Sequence, residues 1–181
     1  DVWTTFGTGA FTARDAEESI TVTNIRTSTT LSGAEKVWVG EIPENHDITV
    51  EIGRKTANSA VESVGEVIVA KANGEFTISA IGGKQLSATD LNGNVYTYSI
   101  IGETPVDGYT TVIEDDAITN TQNATLTIRK EVEGGSDQPF SFAVDGDVLT
   151  EGGKAFELKS GENKALTVTG EKTYTVTETQ Q

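Results

Sequence analysis

The sequence has 181 residues and a net charge of 13 − 28 = −15, with no Cys and a single His. A surface this acidic repels phosphate groups, so we expect neither nucleic acid nor anionic lipid as a partner. The composition also excludes disulfides, thiolate metal sites, multi-histidine metal sites and a cysteine nucleophile, and it leaves His46 as the one possible base for a Ser-His-Asp site. No apolar run is long enough to cross a bilayer, so we expect no membrane insertion by this chain.

Short segments rich in Val, Ile, Thr, Tyr and Phe are separated by turn residues along almost the whole chain, which is the pattern of an all-β sandwich protein. In chain order, the predicted strands are 19–25, 36–39, 47–52, 65–70, 75–80, 95–101, 109–113, 125–132, 139–144, 165–168 and 173–176. Residues 56–64 have the pattern of a short helix, although their serines and β-branched valines disfavour it. Paired glycines and Asn92-Gly93 mark turns rather than phosphate-binding loops, since none leads from a strand into a helix with a P-loop lysine.

An internal repeat organises the chain. Residues 19–24 (Ser-Ile-Thr-Val-Thr-Asn) recur as residues 117–120 (Ala-Ile-Thr-Asn), and each copy precedes a strand that carries a lysine. Strands that end in glutamate also recur. The residues concerned are, in chain order, Asn24, Lys36, Glu103, Asn120, Lys130 and Glu178. The chain therefore contains one complete Lys-Glu-Asn set, preceded by an isolated Asn and followed by an isolated Lys-Glu pair.

These segments resemble the collagen-adhesin B-type (Cna B-type) domains of Gram-positive surface proteins and pilins. The matching segments are Ser32–Trp38, Ile48–Val50, Leu91–Tyr98, Glu103–Tyr109 and Ile118–Asn120 in the middle of the chain, and Leu126–Lys130, Phe140–Phe142 and Tyr174–Glu178 towards its end. The resemblance implies tandem immunoglobulin-like sandwiches of the transthyretin-like, reverse type. In that family a Lys of the first strand and an Asn of the last strand join spontaneously in an isopeptide bond, assisted by a buried Glu or Asp.

Carried over to this sequence, the resemblance implies two sets of bond-forming residues. They are Lys36 and Asn120 with Glu103 as proton shuttle, within one chain, and Lys130 and Asn24 with Glu178 as proton shuttle, between chains. The reaction takes place once per site and needs no cofactor and no metal. We therefore expect autocatalytic self-processing and no enzymatic turnover of an external substrate.

The proposed chemistry explains why these residue types are needed. A lysine amine attacks a carboxamide only when it is neutral, and burial in an apolar core lowers the pKa of a lysine. Burial raises the pKa of a carboxyl group, so a buried glutamic acid polarises the amide carbonyl and passes protons to the departing ammonia. Two fixed strands hold the reacting atoms together at a high effective molarity.

Taken singly, a strand lysine is usually a solvated surface residue and an Asn near a strand end is usually a turn former. The two-residue period of a strand adds information at the end of the chain. Leu126, Ile128 and Lys130 share one strand face, so the amine follows two core residues inward, and Val176 shares a face with Glu178. The joint order of these residues favours the isopeptide interpretation.

The strand that ends at Glu103 departs from the family pattern. The tyrosine expected ahead of this glutamate is one position away, at Tyr98, and Ser99 stands in its place. A β-bulge would absorb such a shift. The period of two also predicts that Ile101 and Glu103 share a face.

The repeat predicts three parts: a donor segment over residues 1–27, a complete domain over 28–122, and an incomplete domain over 123–181 that lacks its last strands. The linker from Asn24 to Leu31 is too short to span comfortably the ~35 Å between the two ends of a sandwich strand and still reach the neighbouring domain, which disfavours folding back within one chain. We therefore expect the donor segment to complete the trailing domain of another copy, head to tail, building a filament. Alternatively the chain is one period of a longer tandem array, and its start at Asp1 without any Met suggests an excised piece.

The expected function is that of an extracellular stalk or pilus-like filament subunit at the cell surface or cell wall of a Gram-positive-type bacterium, with other copies of itself as partners. The alternative is a surface adhesin module that binds a host protein or glycan, which would require an exposed aromatic or apolar patch. The acidic run 114–116 lacks the spacing of an EF-hand and is interpreted as solvated. Paired carboxylates without a neighbouring aromatic cluster do not favour a glycosidase.

Overall fold

The computed structural model describes residues 3–5 and 24–179, with side chains from residue 27 onward. The described residues form strands, turns and loops without a helix, so the predicted all-β class is confirmed. The strands are β1 (Trp3–Thr5), β2 (Asn24–Arg26), β3 (Ser28–Thr29), β4 (Leu31–Val39), β5 (Asp47–Lys55), β6 (Glu62–Ala70), β7 (Gly74–Ile78), β8 (Ala80–Ile81), β9 (Lys84–Ser87), β10 (Thr97–Glu103), β11 (Tyr109–Glu114), β12 (Ala117–Arg129), β13 (Phe140–Asp145), β14 (Ala155–Leu158), β15 (Asn163–Thr169) and β16 (Thr175–Glu178). Residues 56–64 form a turn and the start of β6 rather than a helix. A helix long and apolar enough to cross a membrane is not found in the described part of the chain.

The described strands pair in five groups, ordered β1-β2, β10-β5-β6, β11-β12-β4-β7 with β15 also beside β12, β14-β13-β16, and β3-β9-β8. The chain falls into two compact units. The first holds the described residues up to Glu35 together with Asp47–Thr104, and the second holds Lys36–His46 and the described residues from Pro105 onward. The predicted division into 1–27, 28–122 and 123–181 stays a prediction.

The first unit is organised around β5, which pairs antiparallel with β6 on one side and β10 on the other. Ile48, Val50 and Ile52 occupy alternate positions of β5 and are buried, as the two-residue period predicts. Ile100 of β10 lies opposite Ile52, so it shares the buried face of the sheet. Burial of these aliphatic side chains supplies the main favourable free energy of this unit.

The strand β10 contains the predicted bulge. Its register against β5 shifts between Ile100 and Gly102, so that Ile101 is an extra residue without an opposite partner. After the bulge, Glu103 lies opposite Val50, on the buried face of the sheet, while Ile101 is 41% exposed. The prediction that Ile101 and Glu103 share a face was therefore wrong, because the extra residue reverses the alternation between them.

The longest strand, β12, belongs to the second unit and pairs with different strands along its two halves. Over residues 117–122 it pairs with β11, and over residues 123–129 it pairs with β15. Asp115 and Asp116 both have positive φ and form the two-residue turn that joins β11 to β12, which gives this acidic run a structural role. The sequence predicted a strand starting only at residue 125, whereas β12 is continuous from Ala117.

The peptide between Gln122 and Asn123 shows which edge of β12 is unoccupied. Its C=O accepts a hydrogen bond from the Gly170 N–H (3.0 Å), and its N–H donates to the Gly108 carbonyl (2.8 Å). Because the C=O and N–H of a trans peptide point to opposite sides, β15 and β11 lie on opposite edges of β12. Among the described residues, no strand pairs with the β11-side edge of residues 123–129, which we call the open edge.

Residues 123–179 form two layers around one core. The β12–β15 pair supplies one layer and the β14-β13-β16 sheet supplies the other. Their shared core consists of Ile128, Phe142, Val144, Leu158, Leu166 and Val168. Tyr174 packs against this core and donates a hydrogen bond from its hydroxyl to the Thr169 carbonyl at 2.6 Å.

Candidate cross-linking sites

Lys36 is a strand lysine with no exposure to solvent, which is rare for this residue type. Its Nζ donates hydrogen bonds to the carbonyls of Val37 (3.2 Å) and Ile118 (3.4 Å), and it lies 4.0 Å from the centroid of the Trp38 ring. The alternation of buried residues along β4 places Ala34, Lys36 and Trp38 on one face. The surroundings of this amine are therefore carbonyl oxygens and an aromatic ring rather than water.

Asn120 is also fully buried. It lies on β12, the strand whose backbone Lys36 contacts. It lies two residues beyond Ile118, whose carbonyl accepts the hydrogen bond from Lys36, and both residues are on the buried face of β12. In a strand, two residues advance the chain by roughly 6.6 Å, which a lysine side chain spans easily. The structure thus brings the predicted lysine and the predicted asparagine into one buried region of the second unit.

Two pairs of contacts define the direction of β4 beside β12. Lys36 contacts the backbone of Ile118, and four residues later a Cβ on Gly40 would lie 2.8 Å from the Gln122 side chain. The Gln122 amide oxygen also accepts the Glu41 N–H at 3.0 Å. Residue numbers rise together along both strands, so β4 and β12 run parallel.

An aromatic pair covers the lysine. The ring of Trp38 meets the ring of Tyr109 edge to face, with 5.0 Å between centroids, and the Tyr109 hydroxyl donates to the Glu41 carbonyl at 2.6 Å. Tyr109 lies opposite Gln122 in the β11–β12 pair. This edge-to-face arrangement is favourable beyond the buried area and excludes water from Lys36. Sequence reasoning did not connect Trp38 with the lysine two residues earlier.

Glu103, the predicted proton shuttle, belongs to the first unit and is half-buried. It is the last residue of β10 and lies on the same face as the core residue Val50 opposite it. The following residue, Thr104, donates its N–H to the Thr49 carbonyl at 2.9 Å, which holds the strand end in place. Its role towards Lys36 and Asn120 stays a prediction.

Lys130 and Glu178 are brought together within the second unit. The Lys130 Nζ donates to both carboxylate oxygens of Glu178 at 2.9 Å and lies 4.0 Å from the centroid of the Phe140 ring. The Lys130 side chain is 14% exposed, whereas the Glu178 side chain is 39% exposed. Lys130 therefore follows Ile128 towards the core, as the strand period predicts, but this set is only partly shielded from water.

The glutamate-bearing strands occupy equivalent places. β10 flanks β5 in a three-stranded sheet and β16 flanks β13 in another, with Glu103 opposite Val50 and Glu178 opposite the buried Phe142. Val176 lies opposite the buried Val144, so it shares a face with Glu178 as predicted. Val176 is nevertheless 40% exposed, which shows how little of the described chain covers this strand.

The remaining predicted residue, Asn24, lies in β2, and only its backbone is described. β1 and β2 pair antiparallel with Trp3 opposite Arg26, Thr4 opposite Ile25 and Thr5 opposite Asn24. The β11–β12 pair has Tyr109 opposite Gln122, Thr110 opposite Thr121 and Thr111 opposite Asn120. The two pairs therefore share one register, with an aromatic residue opposite the position two beyond the asparagine. The rest of the predicted donor segment, residues 1–2 and 6–23, lies outside the described residues.

The comparisons with known proteins add no assignment. No family model matches the chain, no curated protein matches it, and no solved structure matches it. Within the described ranges, no group of three or more His, Asp or Glu side chains is arranged to hold a metal ion. The Cna B-type resemblance stays a prediction.

Proposed function

We propose that the protein is an extracellular structural subunit of a stalk or pilus-like filament, built from tandem immunoglobulin-like sandwiches and stabilised by autocatalytic Lys-Asn isopeptide bonds. The observation that carries this proposal is the joint burial of Lys36 and Asn120 on neighbouring strands. An unreacted lysine without solvent contact is energetically costly. Its position beside a buried carboxamide is explained if the two side chains are there to react.

The proposed reaction balances as follows. The neutral amine of Lys36 attacks the side-chain carbonyl carbon of Asn120, a C–N bond forms, and the carboxamide nitrogen leaves as ammonia. Burial favours the neutral amine that can attack. Glu103 is proposed to donate a hydrogen bond to the carbonyl and to carry the proton from the amine to the leaving group. Each bond formed lowers the mass by one ammonia, about 17 Da, and no cofactor takes part.

The second set is proposed to react between copies. Lys130 and Glu178 already meet, whereas β2, which holds Asn24, pairs only with β1 among the described strands. The shared register of the β1–β2 and β11–β12 pairs supports Asn24 as the counterpart of Asn120. Docking of this hairpin on the open edge of another copy would bring Asn24 to Lys130. Repetition of the contact, head to tail, would produce a covalent filament.

The experiment that tests this proposal is an intact mass measurement in denaturant, with a denaturing gel of the same material after boiling. We expect a ladder of multiples, with one ammonia lost within each chain and one at each junction. The Lys36→Met variant should still form the ladder, but each chain should keep the ammonia that is otherwise lost at Asn120. The Lys130→Met variant should form no ladder and should still lose the ammonia at Asn120.

The other outcomes separate the alternatives. A single species short by one ammonia would confine the reaction to Lys36 and Asn120 and would overturn the covalent filament. An unshifted mass would overturn both bonds and would favour the adhesin alternative. A surface plasmon resonance screen of the full chain against host matrix proteins and glycans would then follow.

A further inference from the structure

Arg54 occupies a core position of β5 in the first unit. It is the next member of the alternation Ile48, Val50 and Ile52, whose side chains are buried. The β5–β10 register is regular from Ile52 to Lys55, so Arg54 faces the same side as Ile52, and its side chain is 28% exposed. Charged residues at such positions are rare unless their charge is paired or bound.

Neighbouring side chains hold the Arg54 guanidinium in one orientation. The Glu62 carboxylate, opposite Arg54 in β6, accepts a hydrogen bond from Nε at 2.7 Å. The guanidinium carbon lies 4.3 Å from the centroid of the Tyr96 ring. Tyr98 lies opposite Arg54 in β10, and its hydroxyl donates to the Ser87 carbonyl at 2.9 Å. Between residues 27 and 179, the two terminal nitrogens of the guanidinium form no hydrogen bond to a carboxylate, so they remain donors for a ligand.

A cleft of about 180 Å³, which we call the arginine cleft, opens beside this guanidinium. One wall of the cleft is β9, which follows β8 after the two-residue turn Gly82-Gly83. Both glycines have positive φ, as a tight hairpin turn requires, and the turn places Lys84 at the start of β9. Arg54 and Lys84 are the charged residues that line the cleft, and among the described side chains no carboxylate lines it.

The two cations of the arginine cleft contrast with the chain as a whole, in which Asp and Glu outnumber Lys and Arg by 28 to 13. A net charge of −15 repels polyanions at long range, so the cleft is not suited to nucleic acid or to a polysulfated chain. A ligand with a single negative group avoids most of that repulsion and still meets both cations. A carboxylate fits best, because its two oxygens match the planar guanidinium fork, while Lys84 adds a point charge.

The size of the cleft and its uncharged polar residues define the rest of the ligand. Pockets for drug-sized molecules usually measure about 300–1,000 Å³, so a cleft of about 180 Å³ holds one small ring. Gln85 and Ser87 add a carboxamide and a hydroxyl to the lining, and both groups pair with hydroxyls as donor and as acceptor. A hydroxyl-bearing ring with one carboxylate, which is an acidic monosaccharide, satisfies both requirements.

We propose that the arginine cleft binds an acidic monosaccharide of the uronic acid class. The carboxylate is held by Arg54 and Lys84, and the ring hydroxyls are held by Gln85 and Ser87. The site lies wholly within the first unit and does not depend on the proposed cross-links. In a filament each copy would present one such site, so weak binding at each site would be strengthened by repetition.

The test is an NMR titration of the full chain with glucuronate, glucose and acetate. Glucose keeps the ring without the carboxylate, and acetate keeps a carboxylate without the ring. We expect glucuronate to shift the backbone amide signals of residues 84–87, with an affinity about tenfold higher than that of either control ligand.

Two variants and a matched control assign the charge. Arg54→Gln should weaken glucuronate binding about 30-fold, through loss of the bidentate contact, and Lys84→Gln should weaken it about threefold. Lys55→Gln removes the same charge one position along β5, at an exposed side chain on the opposite face, and should leave the affinity unchanged. The amide spectrum of each variant shows whether it has folded. Because Lys84 is exposed, Lys84→Gln tests the site even if Arg54→Gln does not fold.

Equal affinity for glucose and glucuronate would overturn the inference, as would binding that neither Arg54→Gln nor Lys84→Gln weakens. Acetate that binds as tightly as glucuronate would overturn the assignment to a monosaccharide. A blocked Gly-Glu-Gly peptide that binds more tightly than glucuronate would overturn it in favour of an acidic peptide. The titration does not depend on the mass of the chain, so none of these results bears on the isopeptide bonds.

Discussion

The two lysines Lys36 and Lys130 of the second unit differ in their surroundings. Lys36 and Lys130 each lie 4.0 Å from the centroid of an aromatic ring, Trp38 in one case and Phe140 in the other. Lys36 has no exposure to solvent, because β12 runs beside β4. Lys130 is partly exposed and held by the carboxylate of Glu178, beside an open edge. The comparison teaches that full burial of such a lysine requires a further strand beside the strand that carries it.

Under the proposed function, the second set would wait for a partner. The Lys130 amine is bound by the Glu178 carboxylate in this structure, and the reaction needs a carboxamide beside it that a docked strand would supply. Docking and reactivity would therefore be coupled, and the bond would form only after the correct hairpin is in place.

The largest difference between the two sites should be in stability. A bond between Lys36 and Asn120 closes a loop of 120 − 36 = 84 residues, which by analogy with disulfides contributes on the order of 4 kcal/mol. We expect Lys36→Met to lose about this free energy of unfolding. Asn120→Ala should lose several kcal/mol more, because it also leaves an unreacted lysine buried. Lys130→Met in an unlinked monomer should cost about 1 kcal/mol or less, since its ion pair is partly exposed.

Guanidinium unfolding of purified monomers, with intact masses of each variant, measures these differences. Equal losses for Lys36→Met and Lys130→Met would contradict the contrast between a buried, bonded site and an open one.

An intermediate effect is expected from single-residue deletions in the two glutamate strands. Removing Ile101 takes out the bulged residue, so Glu103 should stay opposite Val50 and the ammonia at Lys36 should still be lost. Removing Thr177 from β16, whose register against β13 has no bulge, moves Glu178 to the opposite face of its sheet. We expect this second deletion to abolish bond formation at Lys130 and to cost about 2 kcal/mol through the altered strand.

Intact mass distinguishes the two deletions directly. If removal of Ile101 also stopped the loss of ammonia at Lys36, the assignment of Ile101 as a bulge residue dispensable for the site would be wrong.

The smallest effect concerns pH and the trailing part of the second unit. Burial, and to a smaller extent the nearby Asp147 carboxylate, raise the pKa of Tyr174 above its ordinary value of 10.0. A raised pKa in the folded state means that folding favours the protonated phenol. This contribution is complete below pH 10 and is lost as the pH rises through the higher folded-state value.

The Tyr174→Phe variant should remove this alkaline dependence and should also lose the hydrogen bond to the Thr169 carbonyl, worth about 1 kcal/mol. NMR signals of the Leu166 and Val168 methyl groups, followed from pH 8 to 11, report on this part of the chain. An identical alkaline profile in wild type and Tyr174→Phe would contradict the prediction.

The position of most strands, and the face of several side chains, could be predicted from the sequence. The period of two along β5 and the run Leu126, Ile128, Lys130 are local patterns, and each inward position was found buried or half-buried. Such local patterns can be recognised in a sequence because successive side chains of a strand point to opposite faces, whichever strand pairs with it. The repeated order of Asn, Lys and Glu along the chain could likewise be recognised in the sequence alone.

Other features depended on partners far along the chain. The bulge at Ile101 is defined only by its register against β5, so the period alone assigned that residue to the wrong face. The continuity of β12 depends on β11 and β15, which pair with it from opposite edges. The aromatic ring beside Lys130 follows the same rule, since Phe140 lies in β13 whereas Lys130 follows β12. No local pattern signals such a contact.

The sequence by itself therefore determined the all-β class, the strand segments and the residue types of the candidate sites, because alternation and turn chemistry are encoded locally. Only the tertiary structure decided that Lys36 and Asn120 are both fully buried, that Lys130 reaches Glu178, and that none of the described strands pairs with the open edge over residues 123–129. Burial and pairing are properties of neighbours that lie tens of residues apart, and they arise only when the strands are hydrogen-bonded in a particular order.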